Sequence, residues 1–229
     1  GPTDMVLAPT TNDMHVVYPK KPYATSQSEL MYCHKSLSAA NFACESIPFN
    51  PTPPNPPNSD ISPVFSFVDA SVTLRDPAVG GGVVVGFLAW EDAIGTLSYH
   101  LAERGSNGTW RIQQVLSFVL TPPLVPKYFD MSYDFSNNVE TIHVDGMMPQ
   151  GTTILNDYVR NDFVLSPSGW VPTVTQTVLN NFFLTSIFGQ PFGQNNSSAA
   201  ASGFAASIMT PNGIRPFFHI NNFTANTPP

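Results

Sequence analysis

The chain has 229 residues, 11% of them charged and 12% aromatic, with 23 prolines and a formal net charge of −7. Few charges beside many aromatic groups exclude a disordered chain, and nine Lys plus Arg spread thinly leave no basic stripe for nucleic acid or an anionic membrane surface. A chain of this length fills one all-β domain and buries roughly 70% of its unfolded surface without metals or a dense disulfide framework.

Gly1-Pro2 reads as the scar of a cleaved tag, so the fold begins at residue 3, and the chain reads as a piece of something longer with no signal peptide in view. A first strand is expected over Met14–Tyr18, where apolar and polar residues alternate. Cys33-His34 with Cys44 offers three ligands at an unusual spacing, whereas a structural zinc needs four, so no metal is expected. A disulfide between Cys33 and Cys44 closes a loop of about ten residues and contributes slightly under about 3 kcal/mol. Two reduced, buried cysteines stand as the alternative.

Pro48–Pro63 carries seven prolines and predicts an extended strap lying across the single domain 3–229, with a linker between an N-terminal segment and the main domain as the alternative. From Phe65 to Leu74 the apolar positions change parity, the mark of a strand with a β-bulge. Gly80-Gly81-Gly82 lacks the Lys-Ser/Thr of a phosphate loop and reads as a flexible turn. Val83–Trp90 is the longest apolar run, far short of the ~20 residues that span a bilayer, and Glu91-Asp92 ends it in a turn.

Leu97, Tyr99 and Leu101 alternate with Ser98, His100 and Ala102, and the pattern resumes at Trp110 beyond Asn107-Gly108. Asn-Gly between alternating runs predicts a hairpin, because both residues tolerate positive φ. His100, on the polar side, reads as a surface residue. Over Tyr128–Phe135, Phe129, Met131, Tyr133 and Phe135 fall on one face and Asp130, Ser132 and Asp134 on the other, which predicts a strand with one wet side. Asp130 and Asp134 stand about 13 Å apart along that strand, against the roughly 5 to 9.5 Å of a glycosidase carboxylate pair.

Further strands are expected over Val139–Val144, Thr153–Leu165, Val171–Leu179, Phe204–Met209 and Gly213–Ile220, the last at a sheet edge or a bulge because Pro216 cannot donate to a ladder. Gln190–Ser207, rich in Asn, Ser, Ala and Gly, reads as a mobile surface loop. The sequons at Asn107, Asn195, Asn196 and Asn222 mark exposure only weakly. No G-x-S-x-G elbow occurs, and His15, His34, His100, His143 and His219 are scattered with no Ser and Asp grouped about them. No enzyme and no cofactor is expected.

The acidic balance, strand-and-turn rhythm, prolines and Asn/Ser/Thr-rich loops resemble the protruding or spike domains of non-enveloped RNA virus capsids. In size the chain is more similar to astrovirus spikes than to the larger calicivirus protruding domains. The resemblance implies an antiparallel β-barrel or sandwich with long decorated loops. It further implies a homodimer on the virion surface that engages a host receptor or glycan and is the target of neutralising antibodies. The missing basic arm agrees with a place outside the shell.

On this reading the candidate binding residues are Asn107 with Trp110, the wet strand face of Asp130, Ser132 and Asp134, and the loop bearing Asn195 and Asn196. Two alternatives stand beside it. A secreted lectin or adhesin predicts an oxidised Cys33–Cys44 pair and occupied sequons. A glycan hydrolase on a β scaffold predicts two carboxyl groups converging in a cleft, one with a raised pKa.

Overall fold

A computed structural model describes residues 3–8, 10–20, 28–49, 65–91, 96–119, 129–149, 156–186, 201–210 and 213–222. These residues are all-β: apart from one 3-10 turn, their regular elements are strands in three antiparallel sheets whose orders are open. The strands therefore pack as in a sandwich rather than close as a barrel. The chain divides into two compact units, residues 1–72 with 84–120 and residues 73–83 with 121–229.

In the first unit, β1 (Asp4–Leu7), β2 (Met14–Lys20), β3 (Glu29–Lys35) and β4 (Ala43–Ser46) form a meander in chain order. Its inner face is set by period-two burial: Val6, His15, Val17, Leu30 and Tyr32 are buried, while Met5 and Leu7 face outward. Only β2 is evident from alternation in the sequence; β1, β3 and β4 go unpredicted.

The second sheet has the order β5 (Phe65–Leu74), β6 (Val83–Glu91), β7 (Thr96–Arg104), β8 (Trp110–Val119), and the ends of β5 and β6 belong to the second unit. Residues Val83 to Ala89 are all buried, as are Ala70 to Leu74, so these stretches are covered on both faces. Phe49, Phe67, Phe87 and His100 form an aromatic cluster with ring centroids 4.7 to 5.7 Å apart. His100 is thus a correction: it is 5% exposed, stacked on Phe87 and hydrogen-bonded to Ser98 Oγ at 2.8 Å. The expected hairpin is present, with a register shift between Tyr99 and His100. Asp4 Oδ2 accepts from the Val72 amide at 2.8 Å and ties the two sheets together; burial raises its carboxyl above the usual range.

In the second unit, β9 (Phe129–Ser136), β10 (Val139–Pro149), β11 (Asn156–Ser166), β12 (Gly169–Ser186), β13 (Ala201–Thr210) and β14 (Gly213–Asn222) follow one another in one sheet. Asn137 and Asn138, at φ 50 and 61, make the tight turn that joins β9 to β10. Met131, Tyr133, Ile142, Val144, Phe163 and Trp170 form the apolar core. Pro216 lies in β14, the terminal strand of the sheet, where the sequence places it.

The Gly-rich turn expected at Gly80-Gly81-Gly82 follows a 3-10 turn, Pro77–Val79, capped by Asp76. All three glycines take positive φ, and Gly81 N–H donates to Asp76 O at 3.0 Å. The loop expected over Gln190–Ser207 is corrected in part: Ala201 to Ser207 pair with β14 as strand, and 190–200 lie outside the described residues. Residues 50–63 of the proline strap lie outside them too.

Candidate functional site

The β7–β8 tip is built from its last ladder pair, Arg104 and Trp110. Gly108 N–H donates to Gly105 O at 2.9 Å and Gly105 N–H to Thr109 O at 2.8 Å. Of the Asn-Gly pair only Gly108 takes positive φ, at 80. Asn107 is exposed, and its carboxamide oxygen accepts from the Thr109 amide at 3.1 Å and hydroxyl at 2.6 Å. An Asx-type turn of this kind stiffens the tip.

Trp110 is half-buried and packed against β3 and β4. Its ring meets Tyr32 edge-on at 5.3 Å and its indole N–H donates to Glu45 at 3.1 Å. Arg104 Nε donates to the same Glu45 oxygen at 2.6 Å, and its guanidinium lies 5.8 Å from the Tyr32 ring centroid. Trp110 and Arg104 therefore fasten one sheet to the other. Beneath them Tyr32 hydroxyl and His15 Nδ1 are 2.7 Å apart. Burial drives the Tyr32 phenol up to about 12 and the His15 imidazole down to about 4, the latter helped by the charge of His34.

The face of β9 read as wet is buried. Ser132 is 7% exposed and Asp134 6%, with Ser136 Oγ donating to Asp134 at 2.8 Å; the side chain of Asp130 lies outside the described residues. The reason is the register. Ser132 stands opposite His143, His143 opposite Asp162, and Asp130 opposite Asp145, so one polar face runs across β9, β10 and β11. His143 Nδ1 lies 2.6 Å from Asp162 Oδ1, and Arg160 Nε donates to that oxygen at 2.8 Å.

Ser132, His143 and Asp162 are thus aligned across three strands, a grouping that their separation along the chain conceals. Its residue types suit a nucleophile, a base and an orienting carboxylate. Its placement does not, because Ser132 and His143 are each more than nine-tenths buried and a nucleophile must meet its substrate. The row acts as a cross-strand polar ladder that holds register. Burial raises the Asp162 carboxyl, but hydrogen bonds and charge from His143 and Arg160 outweigh it and hold it below the usual range.

Among the described residues, the most exposed large apolar side chain lies elsewhere. Cys33 and Cys44 face each other across β3 and β4 and are joined by a disulfide, so they are not metal ligands. They bracket the loop 36–42, which presents Leu37 at 75% exposure and Phe42 at 43%. Lys35 Nζ sits 5.9 Å from the Phe42 ring centroid. Asp13 anchors the loop from the neighbouring turn: hydrogen bonds from Thr11, His34 and the Leu37 amide outweigh desolvation and keep its carboxyl below the usual range. Ala39 N–H donates to Ser36 O at 3.0 Å, completing a turn within the loop. Sequence reasoning misses this loop because it lacks periodicity; the available signal was a pair of cysteines enclosing two large apolar residues.

Asn195 and Asn196 lie outside the described residues. Among the described residues, no group of His, Cys, Asp or Glu is placed to hold a metal ion, and no helix is long and apolar enough to cross a membrane. No protein-family model and no curated protein matches the chain.

Proposed function

We propose that the chain is an attachment domain, the spike or protruding domain of a non-enveloped RNA virus capsid, which docks as a homodimer on a host receptor or glycan and carries antibody epitopes. One observation supports this reading most: an internally hydrogen-bonded loop between β3 and β4 that holds Leu37 and Phe42 out to solvent. Exposed apolar side chains on an ordered loop cost hydration without helping the core, and binding is what recovers that cost. A preorganised tip also loses little entropy on docking.

The test is attachment of the labelled chain to receptor-bearing cells. Leu37→Asp and Phe42→Ser each weaken attachment about tenfold or more, while folding stability moves by no more than about 0.5 kcal/mol. Full attachment by both variants defeats the proposal.

A second reading, a secreted adhesin, is favoured by the Cys33–Cys44 disulfide. Structural disulfides belong to oxidising compartments, whereas capsids assemble in a reducing cytosol. Thiol titration of the protein taken from its native source decides between them: free thiols favour the capsid and none favours the adhesin.

A further inference from the structure

We infer that Asn107, in the sequon Asn107-Gly108-Thr109, is an N-glycan acceptor when the chain passes through an oxidising secretory compartment. The inference rests on the adhesin reading given second above, and adds to it a modification site. Two independent observations carry it.

The first is the geometry of the tip. Asn107 and Thr109 are both exposed, beyond the last ladder pair of Arg104 and Trp110, so a glycan there displaces no strand pairing. Thr109 holds the carboxamide oxygen through its amide and its hydroxyl, which leaves Nδ2 on the side away from Thr109. A Cβ on Gly105 would stand 2.9 Å from Asn107 Oδ1, so the carboxamide lies close over a residue that offers no side chain to crowd it. Asn195 and Asn196 fall outside the described residues, as do the two positions following Asn222.

The second is redox. The chain has two cysteines, and they are joined to each other. The lumen in which such a bond forms and persists is also where N-x-[ST] acceptors meet their glycan donor. In the transfer, Nδ2 attacks the anomeric carbon of a lipid-diphosphate-linked oligosaccharide. An N–C bond forms, the C–O bond to the diphosphate breaks, the lipid diphosphate departs with the electron pair, and the Nδ2 proton passes to a base of the transferase.

The experiment is expression behind a secretory leader in eukaryotic cells, followed by peptide mapping of the luminal chain with and without glycan-releasing amidase. The expected result is a glycan on Asn107 in most of the disulfide-linked chain, lost in Asn107→Gln and Thr109→Ala and kept in Thr109→Ser. Retention in Thr109→Ser separates loss of the acceptor from damage to the turn. A luminal, disulfide-linked chain bare at Asn107, or glycosylated only at other sequons, overturns the inference and leaves the adhesin reading standing. A luminal chain with both thiols free overturns that reading and the inference together.

Discussion

Arg75 and Glu140, 65 residues apart in the chain, meet through two hydrogen bonds of 2.6 Å, Nε to Oε2 and Nη2 to Oε1. Their side chains are 21% and 10% exposed, and the Tyr133 hydroxyl donates to Glu140 at 3.0 Å while accepting from the Asp76 amide at 3.3 Å. A forked guanidinium–carboxylate pair with a buried phenol beside it fixes the start of the Asp76 turn against the β9–β10 hairpin.

Removing one partner of that pair leaves a charge with little access to water. Glu140→Ala is expected to cost about 3 kcal/mol in urea unfolding. The exposed pair Lys20–Glu29, 3.6 Å apart with side chains 52% and 47% exposed, provides the contrast: Lys20→Ala shifts stability by under about 1 kcal/mol. Equal losses in the two variants count against the assigned roles.

Acid sensitivity follows from His100. Burial among Phe49, Phe87 and Ser98 lowers its pKa from 6.5 to about 4. Below pH 6.5 the unfolded chain takes up a proton that the folded chain refuses until about pH 4. Stability is therefore full above that window and falls through it, by about 1.4 kcal/mol per pH unit. His15 acts in the same direction. His100→Phe is expected to flatten part of the slope in urea midpoints taken at neutral and acid pH. An unchanged slope sinks the assignment.

How much of this was legible in the sequence depends on what each residue's neighbour is. Alternation revealed the β7–β8 hairpin and the strands β9 to β14, because a period of two is written in each strand by itself. It erred at Ser132, Asp134 and His100, where polar residues lie on a face that is also covered; alternation reports which face is polar and not whether water reaches it. The Ser132–His143–Asp162 row depends on register across strands. The turn at Asn137-Asn138 contained half of that information, since a tight turn there sets Ser132 opposite His143. The second half depended on where the β10–β11 connection turns. The loop 36–42 carried no periodic signal, and Trp110 looked available for recognition because its partners, Tyr32 and Glu45, come from a different sheet.

The polar ladder gives a second pH limb. Asp162 is held ionised by His143 and Arg160, so its contribution is present above the ordinary carboxylate range and is lost as pH falls through its lowered value. Asp162→Asn is expected to cost about 2 kcal/mol at neutral pH and to shrink the loss of stability below about pH 4. Thermal unfolding across that range measures both. A variant as stable as the parent at neutral pH shows that the ladder is not holding register.

The disulfide should matter most where it encloses the loop. Replacing both Cys33 and Cys44 by Ser removes a bond closing a sequence separation of 11, with an expected cost of about 2 to 3 kcal/mol. The larger effect is local. Residues 36–42 keep the Asp13 anchor at Leu37 but lose the covalent clamp at the ends of β3 and β4. Chymotrypsin, which cleaves after large apolar residues, is expected to cut at Leu37 and Phe42 faster in the double variant while sites in β6 and β7 stay protected. Attachment then weakens even though neither Leu37 nor Phe42 has changed, because the unclamped loop must be ordered at the moment of binding. Faster cutting with unaltered attachment separates the loop's rigidity from recognition, and unaltered cutting shows that Asp13 and the Ser36 turn suffice to hold it.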